Sequence, residues 1–235
     1  MAYQLLDASQ GLFDGRADQH QKSNLGDLVA MRLYEDLLAL GRSKKLIDRV
    51  DTGLSVLNTK NRRHGIMARR GDGSFGEIVP NADPIKDRGF VVCRGPIATI
   101  EVGIEVKILV KVMIKQIDRV VSDLRGQADH FRSRGDNPIC VDVVGINNAD
   151  HCTSYEGERT FQTDGKRYKH PIQEAPEAEL RLLQHAAPMF DKFVFLRFRA
   201  TNEEPFPFAW VDQNKTELDY GADLARISQQ YEMRV

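Results

Sequence analysis

Cysteine is scarce in this chain of 235 residues: Cys93, Cys140 and Cys152 are the only three, and no two of them form a Cys-x-x-Cys pair. With no charged-then-apolar leader pattern at the N-terminus, a disulfide framework is not expected, and reduced, buried thiols in a cytoplasmic protein are. Long apolar runs are missing too. None approaches the length a bilayer-crossing helix needs, so no membrane partner is expected. Charge of one sign is also lacking, since 33 Lys and Arg stand against 34 Asp and Glu for a net of −1. Any affinity for a polyanion must therefore come from local clustering rather than from the field of the whole molecule. What is present is ordinary for a globular chain, 41% apolar and 29% charged, which argues against disorder. The length suits a single domain over 1–235, with a core of about 24–146 and a C-terminal extension over 147–235.

The chain is organised around Asp87 to Arg119. From Thr99 to Leu109 apolar and polar residues alternate, so Ile100, Val102, Ile104, Val106 and Ile108 share one face of a strand. Glu101, Gly103, Glu105 and Lys107 share the other. Upstream, 88–93 reads as a second strand and Arg94-Gly95-Pro96 as the turn joining the two into a hairpin. With the turn centred near Pro96, Asp87 falls opposite Glu105 on the same face. Two carboxylates then converge with one ammonium. Hard oxygen ligands of this kind suit Mg²⁺ or Mn²⁺, which keep waters and leave positions for a phosphate oxygen. Such an ion activates a bound water and stabilises the charge of a phosphoryl transition state, and the neighbouring ammonium orients the water.

An acidic residue on one strand, Glu105-Val106-Lys107 on the next, and an amphipathic helix after it resemble the PD-(D/E)XK nuclease superfamily, typified by restriction endonucleases. The resemblance covers about residues 24–146. It implies a restriction-endonuclease-like α/β fold, a mixed β-sheet flanked by helices, and metal-dependent hydrolysis of DNA phosphodiester bonds. Asp87, Glu105, Lys107 and Gln116 would be the catalytic set, with Asp87 and Glu105 on the metal together with the Val106 carbonyl. Gln116 fills the place of a glutamine that family members often carry in the following helix. A homodimer is implied by analogy, because cutting both strands of a duplex needs two sites. The chain departs from the pattern in having no literal Pro-Asp before the hairpin; Asn81-Ala82-Asp83-Pro84 makes Asp83 a rival to Asp87. Glu101 and Glu77 are further acidic alternates, and Glu35 is another because the superfamily sometimes supplies an acid from its first helix. The competing reading is a catalytically inactive nucleic-acid-binding or assembly protein of the same fold, whose acids only pair with neighbouring cations.

Elsewhere, Leu25, Val29, Leu33, Leu37 and Leu40 predict a helix over 25–40 ending at Gly41. Residues 65–79 read as a hairpin turning at Gly71-Asp72-Gly73. Its Gly71, Gly73 and Gly76 spell a dinucleotide fingerprint but lack the helix that the fingerprint needs. Met113, Ile117, Val120, Leu124, Ala128 and Phe131 predict a helix over 112–132. On its polar side Lys111, Lys115 and Arg119 are candidate contacts to a phosphate backbone. The continuous run Ile139–Ile146 predicts a strand covered on both faces and parallel to its neighbour. A polar stretch over 147–170 reads as an irregular hairpin insertion. His151-Cys152 within it has no second partner at ligand spacing, and Lys166 to Lys169 read as exposed loop. A helix over 174–189, strands at 193–198 and 206–211 and a helix over 216–232 complete the chain. The basic clusters at 42–45 and 62–64 are surface by default.

Overall fold

The strand predicted at the centre is there from Val102 on: β6, Val102–Leu109, lies in the middle of a seven-stranded mixed sheet. Residues 99–101 precede it, so Ile100 packs on the opposite side of the sheet from Val102, and Glu101 turns to Arg49 and Tyr231 rather than sharing the face of Glu105. In this computed structural model residues 2–17, 24–58, 62–63, 66–67, 72–133, 137–156 and 159–235 are described. The chain begins with α1 (Gln4–Gln10), α2 (Asn24–Leu40) and α3 (Lys44–Asp51). Short strands follow: β1 (Ser55–Asn58), β2 (Arg62–Arg63), β3 (Ile66–Met67), β4 (Gly73–Glu77) and β5 (Arg94–Gly95). After β6 come α4 (Met113–Arg132), β7 (Ile139–Asn147), β8 (Thr153–Glu156), β9 (Arg159–Gln162) and α5 (Pro171–His185). The chain then forms a short 3-10 turn (Ala187–Met189), β10 (Lys192–Ala200), β11 (Phe208–Trp210) and α6 (Gln213–Arg234). None of the described helices is long and apolar enough to cross a membrane.

The sheet order is β11-β10-β7-β6-β4-β1-β5. β6, β7 and β10 are parallel neighbours, and β4 pairs antiparallel with both β6 and β1. Strand alternation divides the core in two. Val102, Ile104 and Val106 of β6, with Ile139, Val141 and Val143 of β7, pack beneath α1, α2, α3 and α6. Cys140, Val144 and Ile146 pack beneath α4 and α5. The run Ile139–Asn147 is buried at every position, as a strand covered on both faces must be. The part read as an extension adds β10 and β11 to this same sheet and lays α6 over α2 and α3.

The expected hairpin between 88–93 and 99–109 does not form. The antiparallel neighbour of β6 is β4, and residues 88–93 run irregularly along the edge. The physical reason is a buried carboxylate on α2. Glu35 accepts the amide hydrogens of Val91 and Val92 at 2.9 and 3.0 Å, which removes the donors a sheet ladder would use. The predicted 65–79 hairpin differs as well, because Ile66–Met67 pairs with Arg62–Arg63 while Gly73–Glu77 pairs with β1 and β6. His64, Gly65, 68–71 and the turn residues Gly135 and Asp136 lie outside the described residues. The polar stretch does contain a hairpin, β8 with β9.

A second buried carboxylate ties the C-terminal helix to the sheet. Glu101 accepts from Arg49 at 2.5 Å, from Ser55 at 2.8 Å and from the Tyr231 hydroxyl. Removing it strands a guanidinium and a phenol in a site where water enters poorly. Glu101→Ala should therefore cost about 2–4 kcal/mol in urea unfolding. An unchanged midpoint would show that the network contributes no net stability.

Candidate active site

Three strands meet at the place the sequence singles out. On β6, Gly103 lies under the ring of Phe131 from α4, so close that a β-carbon there would come within 2.6 Å of the ring. α4 therefore presses directly on this face of the strand. Two and four residues further on, Glu105 and Lys107 point to the same side. The Lys107 ammonium donates to Glu105 Oε1 at 2.6 Å. Glu105 is 5% exposed, and its other oxygen has no hydrogen-bond partner among the described residues.

The second carboxylate beside Glu105 belongs to Asp72. β4 pairs Gly73 with Ile104, and one step further along that register sets Asp72 opposite Glu105. Asp72 Oδ2 accepts the Val106 amide hydrogen at 2.9 Å. On its other side stands the first turn of α2, where a β-carbon on Gly26 would lie 2.8 Å from the Asp72 carboxyl. Only glycine permits that approach. Further along α2, the Tyr34 hydroxyl reaches the carbonyls of Gly73 and Val102, each at 3.2 Å, and so fixes the helix to both strands that carry the acids.

A third acid stands behind the pair. Asp142 of β7 is the register partner of Glu105, is 0% exposed, and has no hydrogen-bond partner for either carboxyl oxygen among the described residues. Three carboxyl groups thus surround one ammonium. Their titration reflects the crowding. Burial, then the Asp72 charge, pushes Glu105 up to about 7, while Lys107 pulls the other way. Burial also drives Asp142 well above the carboxylate range, with Glu105 adding to it. For Lys107 burial acts downward, but Glu105, Asp72 and Asp142 outweigh it, and the ammonium is held above its ordinary value.

No family model, curated protein or solved structure matches this chain. The chemistry of the site is accordingly read from its own atoms. Among the described residues no set of three or more His, Cys, Asp or Glu is arranged to hold a metal ion, so a cation here would rest on two side-chain ligands, Asp72 and Glu105. Mg²⁺ is the common ion that tolerates so few, because it keeps several waters. The buried Glu105 oxygen that lacks a partner and the excess of acid over base both fit it.

The other expected site residues fall elsewhere. Asp87 pairs with Arg94 at 2.7 Å, seven residues away, and is not the acid beside Glu105. Asp83 and Glu77 are exposed. Glu101 belongs to the Arg49–Tyr231 network and Glu35 to the amides of Val91 and Val92. Gln116 turns its amide to the carbonyls of Lys111 and Val112 at 3.4 Å, toward the start of its own helix. Lys111 is half-buried, and Lys115 and Arg119 are exposed on α4. Sequence reasoning missed Asp72 and Asp142. Asp72 stands just before a strand but sits between two glycines that also suit a turn. Asp142 does carry a legible signal, an acid in the middle of a run otherwise fit only for burial.

Proposed function

We propose that this protein is a divalent-metal-dependent nuclease of the restriction-endonuclease-like, PD-(D/E)XK kind, hydrolysing DNA phosphodiester bonds with Asp72 in the role expected of Asp87. One observation carries the reading. Asp72, the residue just before β4, and Glu105 of its antiparallel neighbour β6 converge beside Lys107 with a buried carboxyl oxygen left over. The order of elements supports it: an acid just before β4, Glu-x-Lys on β6, the amphipathic α4, and β7 parallel to β6.

In this proposal Asp72, Glu105 and the Val106 carbonyl would hold Mg²⁺ or Mn²⁺, which would supply Lewis-acid activation of a water and charge to offset that on the phosphoryl group. The Lys107 ammonium, held charged by three acids, moves from Glu105 toward the attacking water and the non-bridging phosphate oxygens. Water would add its oxygen to phosphorus and give a proton to solvent as the bond to the leaving ester oxygen breaks. That oxygen would take a proton from a solvent water, so that a phosphomonoester and an alcohol result. α4 and the sheet shield the base of the site, which strengthens each of these charge interactions.

The Lys107–Glu105 ion pair also favours a second reading, an inactive binder whose acids are satisfied by neighbouring cations. One experiment decides between them. Wild type should nick supercoiled plasmid DNA with Mg²⁺ and not with EDTA, and Lys107→Ala should lower the rate at least about a hundredfold with an unchanged circular dichroism spectrum. Well-folded wild type that cuts no DNA under any divalent ion would sink the nuclease and leave the binder.

A further inference from the structure

The helices α4 and α5 both begin beyond the C-terminal ends of the central strands β6 and β7, the end of β6 toward which Glu105 and Lys107 also lie. Three contacts establish this. The Met113 amide at the start of α4 donates to Glu174 Oε2 of the first turn of α5 at 2.8 Å. The Ile172 amide donates to the Ala149 carbonyl, just past the end of β7, at 3.0 Å. Arg181 of α5 reaches Asp118 of α4 at 3.5 Å one to two turns further along both helices. Leu109, the end of β6, is two residues beyond Lys107 and four before Met113. The loop that enters α5 therefore stands on the same side of the molecule as Lys107.

That loop carries Lys166, Arg167 and Lys169, all exposed. Asp164 shapes it: its carboxylate accepts the amides of Lys166 and Tyr168 at 2.9 and 2.8 Å, and the amides of Asp164 and Gly165 both reach the Tyr168 carbonyl at 3.0 Å. The Arg167 guanidinium lies over the Tyr168 ring, 5.4 Å from its centre. On α4, Lys115 and Arg119 are exposed toward solvent. None of these five cations forms an ion pair among the described residues. Three acids of the same segments have partners of their own, Asp164 with loop amides, Glu174 with Met113 and Asp118 with Arg181, while Asp123 on α4 is exposed. On a chain of net charge −1, a local run of exposed cations without ion-pair partners among the described residues is the clustering that binding to a polyanion requires.

We propose that the loop before α5, through Lys166, Arg167 and Lys169, continues the Lys115–Arg119 stripe of α4 into one phosphate-binding surface that holds the flank of a nucleic-acid strand leading away from the Asp72–Glu105–Lys107 site. The inference rests on the nuclease reading and adds to it where the substrate runs beyond the scissile phosphate. The cations sit on a turn fixed by its own hydrogen bonds, so little order is lost on binding. They read charge and not bases, so contact is uniform across sequences.

The test uses a fluorescent duplex of about 30 base pairs, titrated in EDTA at several salt concentrations so that binding is read without cleavage. In Lys166→Ala/Arg167→Ala/Lys169→Ala, which leaves Asp164, Gly165 and His170 in place, affinity should fall at least about tenfold, and the slope of log K against log salt should shrink by about two to three. Lys166→Arg/Lys169→Arg should bind as wild type does. Unchanged affinity and slope in the triple variant, in a protein whose wild type binds and cuts, would overturn the surface and spare the nuclease. A wild type that neither binds nor cuts would overturn both.

Discussion

Asp72→Asn is expected to lower Mg²⁺-dependent cleavage about a thousandfold or more, while Asp87→Asn leaves it within about twofold. The contrast follows from position. Asp72 stands opposite Glu105 with one oxygen on the Val106 amide, so an asparagine keeps the shape and removes a charge that a divalent ion needs. Among the described residues the Asp87 carboxylate pairs with Arg94, and its loss is a change at the sheet edge. Plasmid nicking under matched Mg²⁺ decides the matter. Equal losses in both variants would mean that the edge loop, not the acid opposite Glu105, governs activity.

Glu105→Gln should produce the second large effect, and in the opposite sense for stability. The Glu105 pKa in the folded protein is raised from 4.5 to about 7. Its favourable contribution is therefore complete below about pH 4.5 and is lost as pH rises through about 7, because the folded state must then carry a buried charge beside Asp72. Glutamine carries no such charge. Near pH 8 the metal-free variant should gain about 1–3 kcal/mol, seen as a melting temperature about 3–10 °C higher. The gain should shrink toward zero near pH 4.5. Mg²⁺ should raise the melting temperature of wild type and leave the variant unmoved. A variant less stable at every pH would show that the Lys107–Glu105 pair outweighs the crowding, and the site would then be an ordinary buried ion pair.

Much of the architecture was legible because it rests on periodicities that a single element expresses alone. The 3.6-residue stripe from Val29 to Leu40 and the one from Met113 to Phe131 became α2 and α4 nearly to the residue. The β-branched run from Ile139 became a strand buried at every position. Glu105 and Lys107 were legible for the same reason, since alternation within β6 fixes their shared face. The first acid was not. Which strand lies beside β6 is decided across a gap of dozens of residues, and the deciding group is Glu35, which takes the amides of Val91 and Val92 and so frees the place that β4 occupies. Nothing local to 88–93 records that. Gln116 failed differently, because helical position placed it near the site while its rotamer turned it to the Lys111 and Val112 carbonyls.

The wall behind Asp72 is main chain, the bare backbone of α2 at Gly26. Any side chain at Gly26 would push into the Asp72 carboxyl, and short of that change the wall moves only with the helix as a whole. That helix is anchored far off, where Asp36 accepts from the Gln4 and Leu5 amides and from the Tyr220 hydroxyl of α6. If the proposed nuclease reading holds, a lesion at this remote junction in the C-terminal half of α2 should shift the helix and Asp72 with it, and so lower cleavage while Asp72, Glu105 and Lys107 stay intact.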